Sequence, residues 1–161
     1  MNFEEIRAKI AAWKEKEGVD LSTEEDLALA VMNLVSLEEH FFFTGAKTGK
    51  TGYFGFLQEV RELRKKLLAK LVDSHEGETW CASKHLLGAT MRLLEVGTKL
   101  QGHGKNKEAI ECFEQAHQLF NLFWALRLKL IGLPELKKEA GQEQPWTLKD
   151  IVNKLVDCCD E

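Results

Sequence analysis

Apolar residues recur at gaps of three and four along almost the whole chain, the spacing that gathers side chains onto one face of a helix. The densest run is Ile110 to Ile131. One line down it reads Ile110, Phe113, His117, Phe120, Trp124, Arg127, Ile131, and the neighbouring line reads Cys112, Ala116, Leu119, Phe123, Leu126, Leu130. A helix apolar on every side has to be covered on every side, so this segment is expected to be the central pillar of the fold.

The same periodicity predicts helices at about 3–16, 23–43, 51–72, 78–100, 106–131 and 147–158. The first follows Asn2 and carries Phe3, Ile6, Ile10 and Trp13. The second opens at the capping box Ser22-x-x-Glu25 and carries Leu27, Ala30, Leu34, Leu37 and Phe41. Tyr53, Phe56, Val60, Leu63 and Leu67 mark the third, and Ala82, Leu86, Ala89, Leu93, Val96 and Leu100 the fourth. The last starts at Thr147-x-x-Asp150, with Trp146 and Ile151 placed as a hydrophobic staple. Proline occurs only at positions 134 and 145, and no β-branched run alternates with polar residues, so no strand is expected. Short loops containing glycine at 44–50, 73–77 and 101–106 join the long helices. This pattern predicts one all-α domain over 1–161: an up-down-up-down four-helix bundle with short additional helices at the N- and C-termini covering the open side of the pillar.

Composition narrows the setting. Charged residues make up 30% of the 161 with a net charge of -4, and the basic residues are scattered among acidic ones, so nucleic acid is not an expected partner. Met1 to Trp13 has neither the basic start nor the apolar run of a signal peptide, and Leu119 to Leu133 is short for a membrane span and broken by Asn121, Arg127 and Lys129. A cytoplasmic protein without membrane attachment is expected. Cys81 and Cys112 stand singly, and the adjacent Cys158 and Cys159 are poorly placed to bridge each other, so reduced thiols are expected.

Four places suggest chemistry. Gly45-Ala46-Lys47-Thr48-Gly49-Lys50-Thr51 looks like a phosphate loop, but it has three residues instead of four before its Gly-Lys-Thr, and it follows a predicted helix where such a loop follows a strand. What survives is a loose anion site of Lys47, Lys50 and Thr51 at the opening amides of the next helix. Metal ligands are incomplete: Glu114-x-x-His117 occurs once, and Cys81 with His85 makes half a zinc site, so neither a metal nor any other cofactor is expected. His117, among Phe113, Phe120 and Trp124 and at the level of Asn33 and Gly88, is expected to be a core histidine; the alternative is a pocket lined by those six residues that takes a small apolar ligand or a metal. Arg127 is expected to pair with the acidic start of the second helix at Glu24, Glu25 and Asp26, while Glu38, Glu39 and His40 read as a solvated face.

From Leu93 the chain reads Leu93-x-x-Val96-Gly97-x-x-Leu100, then Gly104 and Ala109-x-x-x-Phe113-x-x-Ala116, which resembles one tetratricopeptide unit over Leu93 to Phe120. That family stacks units at intervals of about 34 residues, and here neither a second unit nor the closing proline follows. With Glu108-Ala109 and Gln115-Ala116, the same hairpin also resembles the HEPN group of helical bundles. Nucleases of that group carry an arginine with a histidine a few residues on; the nearest pairs here are Arg64 with His75 and Arg92 with His103, so the resemblance implies a relative that does not cut RNA. The expected function is a non-catalytic binding or protein–protein interaction module. Its partner is another protein or a second copy docking on Phe123, Leu126 and Leu130, since two-fold pairing is the commonest closed symmetry.

Overall fold

The computed structural model describes residues 21–73 and 77–129, together with Ala8 and Ala12 as isolated helical positions. The remainder of the helix expected at 3–16, the whole of that at 147–158, and Trp13, Leu130, Trp146, Cys158 and Cys159 lie outside the described residues. Among the described residues there are four helices and no strand: α1 Leu21–Thr48, α2 Gly52–Leu68, α3 Gly77–Gly102 and α4 Asn106–Arg127. The class is all-α.

Helix α1 runs through Gly45 and stops at Gly49, whose φ of 68° lies in the left-handed region that favours glycine at a helix end. The connection to α2 is therefore a tight turn, shorter than the loop expected at 44–50. Gly45 has a packing role instead. A Cβ at that position would sit 2.8 Å from Cε1 of Phe54, so the bare backbone lets α2 close against α1.

Helix α1 packs on both α2 and α3, and α3 packs on α4. Phe41 stacks near Tyr53 and Phe56, with ring centroids 6.2 and 5.8 Å away. Further down the same hairpin, Glu38 meets Arg64. Val35 meets the backbone of Gly88, and Arg92 reaches Ser36 and Glu39, so α1 and α3 run side by side in the same direction. Phe113 lies on Gly97, where α3 and α4 come together close to the turn that joins them.

The core gathers at one end of this assembly. Ala28, Val31 and Met32 of α1 meet Leu68 at the end of α2, Leu71 and Val72 just after it, Trp80, Cys81 and Leu87 of α3, and Phe123 of α4. These are the regions where α1 and α3 begin and α2 and α4 finish. Burying a side chain such as Phe123 contributes about 1.5–3 kcal/mol.

Two expected faces turn out to be rotated. In α2 the inward line is Tyr53, Leu57, Val60, Arg64 and Leu68, which leaves Phe56 and Leu63 exposed. In α4 the fully covered line is Ala109, Ala116 and Phe123, with Leu126 beside it, whereas Ile110 and Leu122 face outward. This segment is thus a one-sided helix laid on α3, and the pillar expectation is corrected. Small Ala109 and Ala116 bring the backbones close, and the aromatic ring of Phe123 fills the space where the helices meet α1.

Candidate functional site

His117 is exposed, and its Nδ1 lies 3.3 Å from Nδ2 of Asn121 one turn on. The expected core histidine is therefore a surface residue; one residue past Ala116, it sits about 100° round α4 from the buried Ala109–Ala116–Phe123 line. The residues expected around it have separate neighbours. Phe113 covers Gly97, Gly88 abuts Val35, and Asn33 is exposed and donates from Nδ2 to the carbonyl of Leu29 at 2.9 Å. Phe120 and Trp124 do meet, edge to face at 6.2 Å, and both touch the core beside Phe123.

The candidate metal ligands are likewise spread out. Cys81 is buried in the core while His85, Glu114 and His117 are exposed, and no group of three or more His, Cys, Asp or Glu among the described residues is placed to hold a metal ion. At the phosphate-like tract, Lys47 belongs to α1 and holds its ammonium over the Phe43 ring, 5.8 Å from the centroid. The amide of Lys50 donates to Thr48 Oγ1, and those of Tyr53 and Phe54 donate to the carbonyls of Lys50 and Thr51. A turn that closes on itself in this way leaves fewer free amides for an anion than the expected loop at Thr51 would have offered.

Charged groups are instead organised as bridges between helices. Arg127 Nη2 donates to Glu24 Oε1 at 2.7 Å, joining the end of α4 to the start of α1 across 103 residues, as the acidic start of that helix implied. Arg64, with a fully buried side chain, donates from Nε to Glu38 Oε1 at 2.8 Å and from Nη2 to Oε2 at 3.4 Å. Glu38 is thus part of the interior and not of a solvated face. Arg92 Nε lies 3.3 Å from Glu39 Oε2 in a more exposed pair. Sequence reasoning missed the Arg64 bridge because an arginine interrupts an apolar line; the signal available was its place in the three-and-four spacing between Val60 and Leu68.

The surface that remains is the end opposite the core, where both helical turns lie. Phe42 follows Ala28, Val31, Val35 and Glu38 on the inward line of α1, yet it is 49% exposed where Ala28 and Val31 are wholly buried. Phe43, Phe54 and Phe56 of the first hairpin and Leu94, Val96 and Ile110 of the second are also exposed. Single exposed apolar residues are ordinary; a concentration at one end of a molecule marks a contact surface. By length and composition α1 could cross a membrane over Ser22–Thr48. Bridges to Arg64, Arg92 and Arg127 and a share of the core tie it to the other helices, while 17% of its most apolar stretch is buried. No protein-family model, curated protein or solved structure matches the chain.

Proposed function

We propose that this chain is a non-catalytic helical binding module whose contact surface is the end that carries both helical turns. The observation that carries this reading is the uneven burial along the helices, from a buried core around Val31, Leu68, Leu87 and Phe123 to exposed Phe42, Phe43, Phe54 and Phe56 at the other end. We further take the four helices to run alternately up and down as a bundle, a reading supported by the hairpin contacts of Gly45 with Phe54 and Gly97 with Phe113. Phe123 and Leu126 are core residues here, so a partner, whether a second copy or another protein, would use the turn end and not that pair.

An environment-sensitive apolar dye tests whether this end is open in solution. The intact chain should bind the dye saturably, and Phe43→Ser with Phe56→Ser should abolish most of the signal while leaving the melting temperature nearly unchanged. An intact, folded chain that binds no dye would mean the end is covered, and the binding-module reading would be dropped.

A further inference from the structure

The turn end combines apolar exposure with an excess of positive charge. Between His40 and Gln58 the chain has two lysines, Lys47 and Lys50, and neither Asp nor Glu; from Leu94 to Glu111 it has Lys99, Lys105 and Lys107 beside Glu95, Glu108 and Glu111, so the two turns together carry an excess of two positive charges. All five lysines are exposed, and Glu108 lies 3.5 Å from Lys105. Because α1 and α3 run in the same direction, with Val35 on Gly88 and Glu39 on Arg92, both turns lie at the same end. Continuing that register by four residues sets Phe43 beside Val96, with Lys47 one turn beyond Phe43 and Lys99 one turn beyond Val96. The chain as a whole has a net charge of -4, so this positive end stands against an acidic remainder.

We propose that this end docks on an anionic lipid surface, the aromatic and aliphatic side chains entering the headgroup boundary while the lysines reach the lipid phosphates. The proposal rests on the binding-module reading and names its partner. Three features favour lipid. Phenylalanine with lysine is the composition of interfacial contact, in which long lysine stems lie along apolar surface and the ammonium stays at headgroup level. Protein interfaces favour arginine and are depleted in lysine, and a two-fold pairing through this patch would set lysine against lysine. Single-stranded nucleic acid would stack on the rings, but Leu94, Val96 and Ile110 offer it no stacking face.

Flotation with phosphatidylcholine vesicles, with and without one part in three of phosphatidylglycerol, tests this. The chain should float with the anionic vesicles and stay behind with the neutral ones, and salt at about 1 M should release it. Lys47→Glu with Lys50→Glu should weaken binding by roughly tenfold or more, and Phe43→Ser with Phe56→Ser should weaken it at unchanged helicity. Equal binding to both vesicles, binding to neither, or loss of a dimer mass in Phe43→Ser would overturn the proposal. So would micromolar binding of a single-stranded oligonucleotide in place of vesicles. If the dye binds and the vesicles do not, the lipid assignment falls while the binding-module reading stands.

Discussion

Phe113 of α4 sets its ring against the bare backbone of Gly97 in α3, so closely that a Cβ at position 97 would lie 2.4 Å from Cε1 and 2.7 Å from Cδ1. The approach explains the tetratricopeptide-like spacing over Leu93 to Ala116, since any tight helical hairpin needs a small residue opposite a large one. Gly97→Ala should therefore destabilise by about 1–3 kcal/mol through overpacking, outweighing a helix-propensity gain of about 1 kcal/mol. Adding Phe113→Leu should recover part of the loss. Gly55→Ala is the control: nothing lies within 4 Å of its Cβ position, so the propensity gain should appear alone. Urea unfolding of the variants checks all of these, and a stabilising Gly97→Ala would mean that the ring is not held there.

Arg64 and Glu38 form a bridge whose energetics are those of buried ions. Removing one partner strands the other, so Arg64→Met should cost about 3–5 kcal/mol. Arg64→Met combined with Glu38→Met should restore most of this, because two apolar side chains of similar length replace the pair without leaving a charge behind. Arg92→Ala, which breaks a pair with both members well exposed, should cost about 1 kcal/mol or less. Chemical denaturation of the two single variants and the Arg64/Glu38 double variant decides the matter, and equal losses from Arg64→Met and the double variant would refute the stranded-charge account.

The helical class and the positions of the long helices were legible from apolar spacing alone, and the Arg127–Glu24 bridge was legible because a lone arginine in an apolar segment needs a carboxylate at the right level. The faces were less legible. Helix α1 has Leu27, Ala28, Leu29, Ala30, Val31 and Met32 in succession, so several lines look equally apolar, and the inward one includes the buried Glu24 and the partly buried Glu38. In α2 the buried line includes Arg64, and an apolar-only reading rotates the helix onto Phe56 and Leu63. Polar residues that pair inside a core look like breaks in the pattern until their partners are known. The aromatic end was hidden for the opposite reason: apolar residues that would ordinarily mark a core, Phe42 and Phe56 among them, lie on the surface.

Ser83 is fully buried in α3, and its Oγ has no hydrogen-bond partner among the described residues. A hydroxyl desolvated without a partner carries a penalty of about 1–3 kcal/mol, and alanine removes the hydroxyl with little change of volume. Ser83→Ala should thus be neutral or should stabilise by about 1 kcal/mol, as read from the denaturation midpoint. Ser83→Val puts a methyl in place of the hydroxyl and adds a second methyl to a closed site, and should destabilise by a comparable or larger amount. A clear loss of stability in Ser83→Ala would show that the hydroxyl is bonded in solution.

His117 separates the expected core from the one the structure contains. As a core histidine it would support its neighbours, and His117→Ala would cost on the order of 1–3 kcal/mol. On the exposed side of α4, with Asn121 in contact through its ring nitrogen, the same substitution removes a weak surface interaction and introduces a better helix former. The expected change is within about 0.5 kcal/mol of zero. Phe123→Ala, on the buried line of the same helix, should cost about 3–5 kcal/mol by opening a cavity between α4 and the core residues of α1 and α3. Thermal and urea unfolding of the two variants side by side measures the contrast; if His117→Ala proves as damaging as Phe123→Ala, the orientation of α4 is not the one described.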